Sequence, residues 1–360
     1  MLPEVVVSII WLGVLAYGLF GGSDYGAGIW DLLAGGGPDG ARRRRRIEDS
    51  IGPVWEANHV WLIFVLVYLW TGFPTAFAQV ATTLWIPLLL TGAGIVFRGA
   101  AFVFRKSSTT YGEARWYGVL FATSSVVTPF FLGTIAGSVA SGRVPAEGVG
   151  DHWTSWINPT SILGGALAVG TTAWLAATLL AADSARAGDP EMRRWFGIRS
   201  VLLGVALGAL ALGGIWVLRA DAPLLADHLQ GRALPFVLLS AVCGVSAILL
   251  VRERRASIAR IPAMGAVASV LLGWGVGQYP YLLEGRLEIT DGAAPDSTLW
   301  ALVIAFVLAG LLVVPCLVWM LVLTERGQLT SRGPREGSSS ALAASLSAPP
   351  PDAPPAPGPG

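Results

Sequence analysis

The feature that most constrains this chain is a recurrence of about nine apolar stretches, each near the roughly 20 residues needed to cross a bilayer at about 1.5 Å per residue. They fall at 4–33, 52–77, 80–104, 115–141, 158–182, 198–218, 233–251, 261–283 and 298–323. With 54% hydrophobic and only 13% charged residues, a water-soluble fold would have to expose far more apolar surface than soluble proteins tolerate. The expected fold class is therefore an all-α integral membrane protein of about nine transmembrane helices. A formal net charge of +1 removes any global electrostatic case for nucleic acid. The first apolar run is too long for a cleavable signal and has no basic segment before it, so it reads as a retained helix. Cys243 and Cys316 sit inside apolar runs without Cys-x-x-Cys spacing and read as small apolar residues.

The arginines predict orientation, because cytoplasmic loops hold an excess of Lys and Arg. Alternate connections carry Arg42 to Arg46; Arg105, Lys106 and Arg115; Arg186, Arg193, Arg194 and Arg199; Arg252, Arg254, Arg255 and Arg260; and Arg326, Arg332 and Arg335. The opposite connections mix Arg143, Arg219, Arg232 and Arg286 with acids such as Asp151, Asp221, Asp227, Glu284 and Glu288. The expectation is an N-terminus outside and a C-terminus in the cytoplasm. Residues 1–326 form the expected transmembrane domain, with the motif-bearing helices in 1–105. Residues 327–360, rich in Ser, Ala, Pro and Gly, read as a disordered cytoplasmic tail, because they lack the apolar surface needed to offset ordering. The Arg42 to Arg46 run reads as a topogenic loop facing headgroups, with an anionic-lipid or nucleic-acid patch as the alternative.

Ionisable groups inside a membrane helix cost at least about 2.5 kcal/mol each, so they mark polar interiors and ion or proton routes. The candidates are Asp24 and Asp31 in the first helix, Glu56 and His59 with Asn58 in the second, and Arg98 in the third. Gly21, Asp24, Gly28 and Asp31 share one helix face, and Asp49, Glu56 and His59 share another. Asp31 and Asp49 near the cytoplasm, with Asp24 and Glu56 deeper, make a candidate proton ladder. The competing reading is that Asp24 and Glu56 lock helices together, as neutral acids or paired with Arg98. Gly18, Gly22 and Gly26 form a stripe that lets helices approach closely. His59 is the one histidine within a predicted span, which argues against a bis-histidine haem or other metal centre in this chain.

The segment Gly22-Ser23-Asp24-Tyr25-Gly26-Ala27-Gly28 resembles the first-helix motif D-G-F-D-L-G-V-G of the cytochrome bd-type quinol oxidase subunit II family. The run from Gly52 and Pro53 through Trp55, Glu56, Asn58, His59, Val60 and Trp61 resembles its G-P-x-W-D-G-N-E/Q-V-W-L, with Glu56 in place of the aspartate. Phe73-Pro74 with Phe77-Ala78 resembles the F-P-x-x-Y-A turn, and Arg98-Gly99-Ala100-Ala101-Phe102-Val103-Phe104-Arg105 resembles R-G-V-A-F-E-F-R. Gly21, His59 and Val103 depart from the pattern, which suggests a divergent member.

The resemblance implies a multi-pass protein of the bacterial cytoplasmic membrane and a heterodimer with subunit I. That partner would hold haem b, haem d and the quinol site, and the complex would oxidise quinol and reduce oxygen to water in aerobic respiration. This chain would scaffold the partner and ligate no haem, with room for a bound quinone or lipid. It also implies that Asp24 and Glu56 match the family's proton-pathway acids; beside them the residue pattern sets Asp31 and Asp49 on the ladder and Asn58, His59 and Arg98 as hydrogen-bonding or charge partners. A stand-alone secondary transporter with midplane acids, and a purely structural membrane subunit, are the rival readings.

Overall fold

The computed structural model describes residues 1–51, 55–108, 111–253 and 255–325. The chain starts with α1 (Leu2–Ala16), a π-helical turn (Tyr17–Gly21) and α2 (Gly22–Leu32), which together form one span. Next come α3 (Gly37–Ile51), α4 (Trp55–Gly72), α5 (Pro74–Thr83), α6 (Trp85–Ser107) and α7 (Tyr111–Ala140). The remaining elements are α8 (Pro159–Arg186), α9 (Pro190–Asp221), α10 (Pro223–Gln230), α11 (Leu234–Arg252), α12 (Ala256–Gln278), a hairpin of β1 (Tyr281–Leu283) and β2 (Leu287–Glu288), and α13 (Asp296–Glu325).

Among the described residues, eight helices are long and apolar enough to cross a membrane, and the bent pair Asn58–Gly72 and Pro74–Thr83 makes a ninth if counted as one span. This agrees with the expected all-helical membrane fold, the hairpin being the sole sheet among the described residues.

Three local expectations change. The third span does not begin at Val80: the chain turns by 116° after Gly72, runs along α5 to Thr83, and enters the next span at Trp85. The cause lies at Phe73, non-helical at φ −139°, followed by Pro74, whose missing N–H suits the first position of a new helix. Secondly, Arg42 to Arg46 are not in a loop but in α3. Ile47 on α3 buries itself against Ala181, Met192 and Phe196, which holds the helix on the ends of α8 and α9. Thirdly, Asp49 lies exposed on α3, a different helix from His59 on α4. Residues 52–54, through which a shared face would run, lie outside the described residues, as does the tail expected at 327–360.

Residues Met1–Val303 form one packed unit, and Ile304–Glu325 continue α13 as an apolar helix. Within the first unit, α2 packs on α7 and α8 at short range, and two glycines make that possible. A Cβ on Gly26 would stand 1.8 Å from the Thr172 carbonyl oxygen, and one on Gly28 would stand 2.1 Å from Ser125 Oγ. Gly18 is tight against Leu271, whereas Gly22 has ordinary contact with Thr172. The stripe therefore works mainly through Gly26, as small residues do where backbones meet in lipid. The outward faces of α9 and α11 expose Leu202, Val205, Leu212, Leu238, Val242 and Val245, as lipid-facing surfaces do.

Candidate functional site: a buried ion-pair ladder

The close approach of α2 to α7 leaves Asp24 with 3% exposure, and α6 brings up Arg98 with 2%. An isolated charge at such a place is prohibitively costly, and the two side chains remove that cost for one another. Arg98 donates from Nη1 to Asp24 Oδ2 at 2.7 Å, and from Nη2 to Oδ1 at 2.9 Å and to the Asp24 carbonyl at 3.0 Å. Its Nε donates to Ser125 Oγ at 3.0 Å. The guanidinium also lies over the rings of Tyr25 and Phe121, 4.7 and 4.6 Å from their centres. This bidentate, fully donated geometry ties α2, α6 and α7 at one point.

Seven residues on, the pattern repeats. Arg105 Nη1 donates to Asp31 Oδ2 at 2.8 Å, while Arg44 Nε stands 3.8 Å from Asp31 Oδ1 and Arg105 Nη2 stands 3.4 Å from Glu48 Oε1. The equal spacing of the acids on α2 and the arginines on α6 shows that the two helices run in the same direction, with the ladder stepping every two turns. Arg42 extends it at the surface, with Asp189 at 2.9 Å and Glu191 at 2.6 Å. Asp189 is held below the usual carboxylate range by its hydrogen bonds with the Met192 amide and Arg42, which outweigh the opposing effect of its burial.

On the other side of Asp24 lies a polar path toward α4. Tyr17 and Tyr25 hydroxyls are 3.1 Å apart, and the Tyr25 hydroxyl is 3.5 Å from His59 Nε2. Asn58 Nδ2 donates to the Phe20 carbonyl at 3.3 Å, and Ser23 Oγ donates to the same oxygen at 2.8 Å. Phe20 belongs to the π-helical turn, a departure from regular helix often found at functional sites. Glu56 stands on α4 three residues before His59, and its side chain lies outside the described residues.

The structure thus gathers Asp24, Asp31, Asn58, His59 and Arg98 into one region. Sequence reasoning missed Arg105, Tyr17, Tyr25 and Ser125. The signal for Arg105 was present, since 24 and 31 on one helix match 98 and 105 on another.

A second buried acid sits at the far end of the bundle, reached through α12, whose first residue Ala256 packs near Ile47 and whose last is Gln278. Glu284, in the hairpin, is 3% exposed, and neither carboxyl oxygen has a hydrogen-bond partner among the described residues. His228 Nδ1 is 3.6 Å away, and Arg232 Nη2 lies 2.9 Å from that same nitrogen. Burial raises the Glu284 carboxyl to about 7, against the weaker opposing pull of Arg232. Nearby, Arg143 is committed to Asp221 at 2.5 Å, and Arg286 to the Gly142 carbonyl at 3.3 Å.

Each histidine occupies a different place: His59 faces Tyr25, His152 meets Trp85 edge-on, and His228 faces Glu284. Among the described residues, no three His, Cys, Asp or Glu side chains gather as a metal site.

This fold and this site define a multi-pass membrane protein whose helices are joined by buried charge pairs. The chain belongs to the cytochrome bd terminal oxidase subunit II family, whose model matches residues 2–324. It is 32% identical over 161 residues to cytochrome bd ubiquinol oxidase subunit 2 of Bacillus subtilis, covering 43% of this chain and 46% of that one. It is 29% identical over 231 residues to cytochrome bd-I ubiquinol oxidase subunit 2 of Escherichia coli, covering 60% and 58%. The matched segments thus span about half the length of these curated relatives. The structure of bd oxidase from Geobacillus thermodenitrificans matches with a TM-score of 0.72 at 26% identity, over 90% of this chain and 98% of that one. Membrane spans and bacterial relatives together place the protein in the plasma membrane. Nothing in this assignment supports the stand-alone transporter.

Proposed function

We propose that this chain acts as subunit II of a quinol oxidase, scaffolding a haem-bearing subunit I and lending it a proton route from the cytoplasm. The observation that carries this reading is the agreement with the family over residues 2–324, joined to a bd oxidase fold that covers 98% of the solved chain. Haem b and haem d in the partner would supply electron transfer and oxygen reduction. This chain's own residues would hold helices in place and move protons.

The two tasks fall on different acids. Asp24 is gripped bidentately by Arg98, and protonating it would leave a buried guanidinium unpaired, so it serves as a brace rather than a carrier. Glu56 takes the proton role. It occupies the acid position of the second-helix motif, three residues from His59, whose ring nitrogen leads to the Tyr25 and Tyr17 hydroxyls. Hydroxyls and an imidazole can both accept and donate, which is what a relay requires. Asp49, exposed on α3, would feed this route from the cytoplasmic side, to which the arginine-rich ends are assigned by their charge, whereas Asp31, paired with Arg105, braces as Asp24 does.

The test is co-purification. Expressed with subunit I, the complex should show haem b and haem d absorption and oxidise quinol, whereas this chain alone should show none, since its three histidines lie apart. A haem-loaded single subunit would contradict the division of labour.

A further inference from the structure

The ladder leaves part of the basic end of the bundle without acids. Arg42, Arg44 and Arg105 have carboxylate partners, but Arg43, Arg46 and Arg199 have none among the described residues. Among the described residues, Arg43 Nη1 donates only to the Ala34 carbonyl at 2.9 Å, and Arg199 Nη1 only to the Trp195 carbonyl at 2.9 Å. The Nε groups of Arg43 and Arg46 are buried with no hydrogen-bond partner among the described residues. The Arg43 and Arg199 guanidiniums lie 4.9 and 3.5 Å from the centre of the same indole, that of Trp195. They are therefore closer together than one Debye length, roughly 10 Å at 0.1 M salt, and they repel. Two helices thus hold like charges and unused donors around one aromatic ring, an arrangement that an anion between them would relieve.

The surroundings say which anion. Arg199 sits where α9 turns from polar to apolar, and Ile198, Leu202 and Val205 below it are 48%, 65% and 59% exposed. A free phosphate would satisfy the arginines and leave that strip untouched. A phospholipid would satisfy both, its phosphate on the guanidiniums and an acyl chain along the strip. An interfacial tryptophan beside the headgroup fits the same depth. We propose that Arg43 and Arg199, around Trp195, with Arg46 one helical turn further along α3, form a binding site for the phosphate of an anionic phospholipid bridging α3 and α9.

The experiment uses the full-length chain purified with its co-expressed partner, stripped of lipid by detergent exchange. Phosphatidylglycerol, phosphatidylcholine or inorganic phosphate is then added, and bound lipid is counted by native mass spectrometry alongside the melting temperature. Phosphatidylglycerol should bind and raise the melting temperature, with little effect from the other two. In Arg43→Gln/Arg199→Gln its affinity should fall about tenfold or more, the scale of losing charge-assisted hydrogen bonds. Arg45→Gln/Arg194→Gln removes the same charge from exposed positions at the same end and should bind nearly as the unmodified chain does. Should the glutamine pair fail to assemble, Arg43→Lys/Arg199→Lys keeps both charges but not the planar donors, and weaker binding by that chain supports the site. Equal affinity for both double glutamine variants, or undiminished binding by the lysine pair, overturns it. So does equal stabilisation by inorganic phosphate, which would mean an adventitious anion site.

Discussion

Asp24 and Glu284 are equally hidden, each 3% exposed, yet the protein treats them in opposite ways. Asp24 meets a guanidinium in matched geometry, with every face of the arginine engaged by Asp24, Ser125 or an aromatic ring. Glu284 meets only a histidine nitrogen at 3.6 Å that already has Arg232 beside it, and its carboxyl oxygens stay unbonded. The contrast teaches that burial does not by itself assign a role to an acid in this fold. A matched partner makes it a brace between helices, and without one burial raises the carboxyl to about 7, as at Glu284.

The sharpest way to break the comparison is to orphan the fixed pair. Arg98→Gln leaves Asp24 buried without its counter-charge, at a cost of about 3–5 kcal/mol. Assembly should suffer, read as haem recovered per purified chain. Asp24→Asn should behave alike, because it strands the arginine. If either variant assembles with full haem content, the pair is not the brace described here.

A smaller effect is expected at Glu284, and its sign follows from the raised carboxyl. The folded protein holds this proton up to about pH 7, whereas the unfolded chain releases it near 4.5. The neutral acid's contribution to stability is therefore fully present below about 4.5 and is lost as pH rises to about 7. Glu284→Gln mimics the protonated form at every pH. Its melting temperature should exceed that of the unmodified protein at pH 8 and converge with it toward pH 5, with an upper bound of roughly 3 kcal/mol on the difference. A pH-independent offset would mean that Glu284 does not titrate in this range.

The same comparison shows what was legible in the sequence. Asp24 and Arg98 stand out because charges are rare inside apolar runs, and the helical architecture follows from the length of those runs. Arg105 escaped because an arginine at the end of a span looks like a topogenic charge, and only its register with Arg98 reveals Asp31 as its partner. The arginine run of α3 looked like a loop because its composition is polar, and the anchoring contact, Ile47 on Phe196 and Met192, is tertiary. Glu284 looked like one more acid in an external connection. It packs against distant chain, with His228 of α10 beside its carboxyl and the left-handed Gly142 against its backbone, where a Cβ would stand 3.0 Å from the Glu284 carbonyl oxygen. No local pattern encodes such a cover.

We propose that fixed and exchangeable acids divide the work, Glu56 carrying protons on the strength of its place in the second-helix motif. The most direct measurement is oxygen consumption per haem in complexes carrying Glu56→Gln and Glu56→Asp. An amide keeps the shape and hydrogen-bonding capacity of the side chain but cannot carry a proton at useful pH, whereas aspartate keeps the carboxyl. Glu56→Gln should assemble with normal haem content and turn over at least about tenfold more slowly, the lower end of what positioned proton transfer contributes being higher still, while Glu56→Asp should retain much of the activity. A fully active, normally assembled Glu56→Gln complex would contradict it.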